Sequence, residues 1–408
     1  MSETHKLPIP ELAFSHMGFH VTDMDKMVNF YQRLLGFSIT DRGRNGDGPE
    51  FCFFSRSLTE HHQFVLIAGR PPGGASNMNQ LSFRVSTHDE LKRLFHIVQN
   101  DPEVTEIYQL NHGNSWSIYV GDPEGNTIEL FFQTPWYVST PSAWELDFSL
   151  PEDELMRITH ETAHTRPGFL SRDGFYKKLR DQLRAEGTAE VKVMADPGNG
   201  SGAGANKAER RDPAIPELAF SHLGFHVTDI ATMVDFHQRL LGFSITDQGK
   251  NRDGLEFCFF SRSPDEHHQV VFIEGRPPGS ETNLHHLAYR VSSYAELMRL
   301  YDVVQNDAEV TSLHTMNHGN SWSIYVGDPE GNSTELFFQT PWYVKTPSAW
   351  DLDIELPEDE LLKTTEETAR TWPGFMERDA FYGKHHDQLR SEGTIEVKVP
   401  VLEGAAHG

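Results

Sequence analysis

Cysteine is nearly absent: Cys52 and Cys258 are the only two in 408 residues. A disulfide framework is therefore excluded. Long apolar runs are also missing, and none approaches the ~20 residues that a membrane-spanning helix needs. The opening stretch MSETHKLPIPE has no apolar signal core. Positive charge is in short supply, with 35 Lys and Arg against 60 Asp and Glu, a formal net charge of −25. A phosphate backbone or an anionic bilayer is bound by a basic face, so nucleic acid and membrane are not expected as partners. The expectation is a cytoplasmic, soluble protein. What the chain does have is enough apolar residues for large cores (37%) and a surplus of histidine, 22 in all.

The sequence repeats itself. PELAFSHMGFHVTD at Pro10 returns as PELAFSHLGFHVTD at Pro216, an offset of 206 that holds without a gap to the two TPSAW segments. NHGNSWSIYVGDPEGN occurs unchanged at Asn111–Asn126 and Asn317–Asn332. Cys52 and Cys258 are equivalents within FCFF, as expected of two buried strand residues. The Gly- and Ala-rich stretch 194–211 has a linker composition. The expected division is a first domain over 1–193, a linker over 194–211 and a second domain over 212–408.

Each half holds a weaker internal repeat. HLGFHVTD at His222 resembles HLAYRVSS at His286; both alternate apolar residues and then meet a helix start. One helix is expected over Asp229–Leu241, capped by Thr228 or Asp229 and closed by Gly242. A second is expected over Tyr294–Gln305. Three strand-like runs follow each helix, and GDPEGN is a strong hairpin turn. The fold expected is α+β: four βαβββ modules, paired into two incomplete β-barrels, each with a helical tail, the helix in half 2 stopped at Trp372–Pro373–Gly374.

His222 and His286 open the first strands of the two modules of half 2, and Glu335 lies in a last strand. If paired modules curl together, these three side chains converge. Two imidazoles and a carboxylate form a facial triad with open positions, suited to Fe(II) or Mn(II). A histidine in an apolar strand can equally be a hydrogen-bonded core residue, and spacing alone leaves the two readings level. A lone carboxylate in STELFF is costly to bury without a partner.

These modules, with SHLGFHV, LHHLAYRV and SIYVGDPEGNSTELFFQTPWYV, resemble the vicinal oxygen chelate superfamily, and within it the type I extradiol ring-cleavage dioxygenases. The resemblance covers nearly the whole chain apart from the linker. It implies an Fe(II)-dependent enzyme, with Mn(II) as the alternative metal, that opens a catechol-like ring with O₂. It places the metal ligands on His222, His286 and Glu335, with His285 set aside because LAY follows His286. It places the acid/base histidine on His268, with His267 the second choice, and substrate hydrogen bonding on Tyr325. His318 is the nearest candidate for a further histidine, although Asn317–His318–Gly319 also suits a turn. Gln269 remains open as an additional ligand.

The offset gives His16, Gln80 and Glu129 in half 1, with His62, His112 and Tyr119 as accessory residues. Gln80 replaces an imidazole, so half 1 is expected to bind iron poorly and to act as a scaffold, in a monomer or homodimer. His226 could face the pocket or pack in its strand, and His237, in place of Tyr31, reads as structural. Trp342 and Tyr343, like Trp136 and Tyr137, suit either a pocket wall or packing against the tail. Two rivals remain: a non-oxygenase metalloenzyme of the superfamily, such as a glyoxalase-like isomerase or lyase, and a bleomycin-resistance-like binding protein.

Overall fold

The computed structural model describes residues 12–44, 46–74, 76–186 and 218–392. The proposed linker lies outside the described residues. Four βαβββ modules are present. The first runs from the Ala13–Val21 strand to Phe64–Ala68, and the second from Met78–Val85 to Thr127–Gln133. The third runs from Ala219–Val227 to Val270–Glu274, and the fourth from Leu284–Arg290 to Ser333–Gln339.

Local chemistry fixes each module. Met24–Leu35 and Ile230–Leu241 are amphipathic helices that present buried residues at helical spacing. Asp229 accepts hydrogen bonds from the backbone N–H groups of Ala231 and Thr232, satisfying otherwise orphaned donors. Gly36 and Gly242 close the two helices at φ 68° and 67°, where a Cβ would be strained. In each GDPEGN turn one aspartate side chain holds the loop: Asp328 accepts from the backbone N–H groups of Glu330 and Asn332. Cys52 and Cys258 are free and buried.

The sheets are assembled differently from the expected pairing within each half. Each module has a free edge along its first strand, and the opposite half covers it. Ala13–Val21 pairs antiparallel with Leu284–Arg290, joining the first and fourth modules. Ala219–Val227 pairs antiparallel with Met78–Val85, joining the third and second. Among the described residues the two large sheets have eight and nine strands, the latter including the short Trp144–Glu145 strand, and each draws on both halves. The halves defined by sequence are therefore not separate structural domains. One continuous core runs through all four modules. Packed against it, the repeat equivalents Phe14 and Phe220 meet with ring centroids 4.9 Å apart.

The tails dock unequally. Each contains a second helix that the sequence reading did not separate, Arg172–Ala185 and Arg378–Ser391. The first buries Phe175, Tyr176, Leu179 and Leu183. The second buries only His385 and Leu389, and its His385 and His386 rings contact the Ser57 and Leu58 carbonyls.

His237 is structural, as expected. Its Nδ1 lies 2.9 Å from the Met233 carbonyl, and burial lowers its pKa to about 4. The unfolded chain binds this proton near pH 6.5 and the folded chain does not. The group's contribution to stability is therefore complete above pH 6.5 and is lost as the pH falls toward 4, by up to ~3 kcal/mol. His237→Tyr, which installs the half 1 residue, is expected to flatten the fall in melting temperature between pH 6.5 and 4.5. An unchanged pH profile would contradict this.

Candidate metal centre and its hydrogen-bonded counterpart

The cross-half pairing sets His16 opposite Ala288 and Gly18 opposite His286, and within half 2 Ala288 stands opposite Glu335 in the next strand. His16, His286 and Glu335 thereby converge, each offering a ligand atom within 4.8 Å of the others. All three are buried. His16 Nε2 lies 3.1 Å from Glu335 Oε2, and His286 Nε2 lies 3.6 Å from the same oxygen. The second distance is too long for a hydrogen bond, and His286 Nε2 makes none in this buried place. Burial alone would push the Glu335 carboxyl up; the His16 and His286 imidazoles outweigh it and hold the group well below the usual range.

Two imidazoles, one carboxylate and a buried nitrogen without a partner fit a divalent transition metal. His16, His286 and Glu335 would hold it. Behind His286, the Nδ1 atom lies 2.7 Å from His285 Nδ1, and His285 packs edge-on against His20. A partner on the outer ring nitrogen is what fixes a ligating imidazole.

Further groups surround the cluster. His62 packs against His16 with tilted rings and centroids 3.9 Å apart. It is oriented by a chain: His61 Nδ1 lies 2.9 Å from His62 Nδ1, and His61 Nε2 lies 3.1 Å from Asp41. Asp41 also accepts from the Tyr343 hydroxyl and Thr346. Burial and the neighbouring His16 and His61 keep the His62 pKa well below 6.5. Tyr325 OH and His318 Nε2 are 3.0 Å apart, and His318 Nδ1 is anchored at the Ser348 carbonyl. Burial and the Glu335 carboxylate raise the Tyr325 pKa.

The residue set expected from sequence is thus divided between two places. His286, Glu335, Tyr325 and His318 stand together. His222 and His268 do not join them, because the Ala219–Val227 strand pairs with the second module. They sit instead with Gln80, Glu129, Tyr119 and His112. His16 and His62 take the places foreseen for His222 and His268. Nothing in the residues could have separated these pairs: AFSHMGFHV and AFSHLGFHV differ at one position. Gln269 is not a ligand in either place, since its Oε1 accepts from the Arg262 backbone. His226 contacts the Glu274 carbonyl at 3.4 Å and joins neither cluster. Trp342 and Tyr343 serve both expected roles, buried and lining the small cavity beside His16.

In the Gln80 cluster, His222 Nε2 lies 3.0 Å from Glu129 Oε2. Gln80 Nε2 donates to the same oxygen at 2.9 Å, and Ser82 Oγ donates to it at 2.8 Å. Tyr119 OH donates to Oε1 at 3.0 Å. Burial raises the Glu129 pKa, but the His222 contact wins and brings it down to about 2. At the other centre the residues matching Gln80 and Ser82 are His286 and Ala288, neither of which donates to Glu335.

The two module pairs, each curled around a buried cluster of polar side chains, define a class of proteins built from paired βαβββ units. The chain belongs to the Glyoxalase/Bleomycin resistance protein/Dioxygenase superfamily, whose family model matches residues 13–130 and 219–336. It is 19% identical over 372 residues to a metapyrocatechase of Geobacillus stearothermophilus, covering 88% of this chain and 90% of that protein. It is 28% identical over 131 residues to a biphenyl-2,3-diol 1,2-dioxygenase of Rhodococcus globerulus, covering 30% of this chain and 65% of that protein. Among solved structures, glyoxalase I from Zea mays aligns at 12% identity and a TM-score of 0.46, over 80% of this chain and 92% of that one. No helix among the described residues is long and apolar enough to cross a membrane.

Gly18 makes room for the His286 ring. A Cβ there would lie 2.7 Å from His286 Cε1, whereas one on the equivalent Gly224 would meet Gln80 at 3.3 Å. Gly18→Ala is expected to displace the imidazole and weaken metal binding at least ~10-fold. Gly224→Ala is expected to leave it unchanged, and equal affinities in equilibrium dialysis would contradict this placement.

Proposed function

We propose that the chain is an extradiol-type ring-cleavage dioxygenase acting on a catechol-like aromatic, with its metal held by His16, His286 and Glu335. One observation carries the reading: two imidazoles and one carboxylate converge in a buried place, with His286 Nε2 left unpaired. The names of the relatives in the same superfamily support it. The donor set suits Fe(II), and Mn(II) is the alternative. A bound metal with open positions would supply a common seat for the catechol oxygens and O₂, which orients them for reaction.

The chain's own residues supply the rest. His62, kept neutral and aimed by the His61–Asp41 chain, accepts a hydroxyl proton from the substrate and returns it later. Tyr325, braced by His318, donates a hydrogen bond to a substrate oxygen as charge builds there. In the overall reaction a ring C–C bond breaks and both atoms of O₂ enter the product.

The cavity beside this centre measures only about 50 Å³. That is room for small molecules such as water and too little for a ring. Its outer wall includes Arg378, Phe381 and Tyr382 of the thinly buried Arg378–Ser391 helix.

The test is anaerobic loading with Fe(II), addition of 2,3-dihydroxybiphenyl or a simpler catechol, and then O₂. The expected result is one O₂ consumed per yellow ring-opened product. His62→Ala is expected to keep its metal and lose ~10²–10⁴-fold in kcat, while His268→Ala stays near the parent rate. A loaded protein that turns over no member of a catechol panel would overturn the proposal. Substrate conversion without O₂ would favour the isomerase or lyase chemistry instead.

A further inference from the structure

The Gln80 centre lies at the floor of a cavity of about 760 Å³, which is preformed and of a size suited to small organic ligands. The His286 centre has the much smaller one. Two substitutions change the floor. Gln80 and Ser82 both donate to Glu129 Oε2, filling with protons the lone pairs that a cation would use. The second imidazole is missing as well. These residues do not fit the metal site of the other centre; they form a closed hydrogen-bond network around His222 and Glu129.

The rim has changed too. Arg166 and Arg252 line this cavity, where the equivalent positions of the other half are Trp372 and Gly46. The two guanidinium groups meet the same short segment. Arg252 donates to the Ala143 carbonyl at 3.0 Å, and Arg166 lies 5.5 Å from the Trp144 ring centroid. Three other charged side chains that line the cavity are already engaged: Lys250 with Glu256 at 3.2 Å, Glu266 with Arg84 at 2.9 Å, and Arg172 with the Gln133 and Thr134 carbonyls at 3.3 Å. Asp253 is the acidic group beside the arginines and offsets part of their charge. Aromatic side chains line the cavity, among them Phe131, Phe259 and Phe175.

We infer that the Gln80 cavity is a metal-independent binding site for a hydroxylated aromatic carboxylate. The carboxylate meets Arg166 and Arg252, the ring lies between the aromatic walls, and the hydroxyl reaches His268 and the Glu129 network. Guanidinium groups recognise a carboxylate as a planar, bidentate partner, and aromatic walls take a ring without specifying its substituents. No reaction is required of this site, and the inference does not depend on ring cleavage at the other centre.

The test uses the whole chain after chelator treatment, titrated by calorimetry with 4-hydroxybenzoate and, separately, with phenol. The expected result is about one 4-hydroxybenzoate per chain, with phenol at least ~10-fold weaker. Combining Arg166→Trp with Arg252→Gly, two exposed positions whose replacements occur in the other half, is expected to weaken 4-hydroxybenzoate at least ~10-fold. Glu335→Gln is expected to leave its binding unchanged. Absence of binding, equal affinity for phenol, retention of affinity in the double variant, or loss in Glu335→Gln would each overturn the inference. Because no metal is present, failure here is distinct from failure of the ring-cleavage proposal.

Discussion

The antiparallel pairing of Ala13–Val21 with Leu284–Arg290, and its counterpart between Ala219–Val227 and Met78–Val85, determines everything else in this molecule. A strand edge left open exposes unpaired backbone groups. Each βαβββ module has such an edge along its first strand, and the partner that closes it comes from the other half of the chain. The core becomes continuous, and each cluster of polar side chains is completed by residues more than a hundred positions apart. Neither half holds a complete site, so the duplication behaves as two subunits joined in one chain.

The two clusters show how a small change at fixed geometry alters chemistry. At one centre His286 brings a nitrogen without a hydrogen-bond partner to a buried carboxylate, and Ala288 adds nothing. At the other, Gln80 and Ser82 bring three N–H and O–H bonds' worth of donor capacity to the same place, two of which reach Glu129 Oε2. A buried carboxylate must be satisfied by cations or by donors. At the first centre, the His16 imidazole lies 3.1 Å from Glu335 Oε2; the second adds Gln80 and Ser82, donors that the first lacks. The surrounding walls diverge in parallel: a well-buried Arg172–Ala185 helix beside the open cavity, and a thinly buried Arg378–Ser391 helix beside the closed one.

Much of this was legible in the residues. The exact repeat gave the duplication, apolar periodicity with Asp229 and Gly242 gave the helices, and GDPEGN gave the turns. His286, Glu335, Tyr325 and His318 stand together as expected. The choice of partner for each module was not legible, because His16 and His222 lie in almost identical strands and pairing is set by which edges meet in three dimensions. That one ambiguity moved His16 and His62 into the candidate metal centre and His222 and His268 out of it. The second helix of each tail was also missed: Arg378–Ser391 is largely polar and carries little periodic signal, whereas Arg172–Ala185 does carry an apolar stripe in Phe175, Tyr176, Leu179 and Leu183. The difference in cavity size arises from how side chains pack, which no local pattern records.

The most direct test of this account is the metal content of two single variants, measured on protein reconstituted with Fe(II) without air. The cross-half arrangement predicts about one metal per chain in the parent, its loss in His16→Ala, and its retention in His222→Ala. Loss of the metal in His222→Ala with retention in His16→Ala would contradict the account, since it would require a site built within one half.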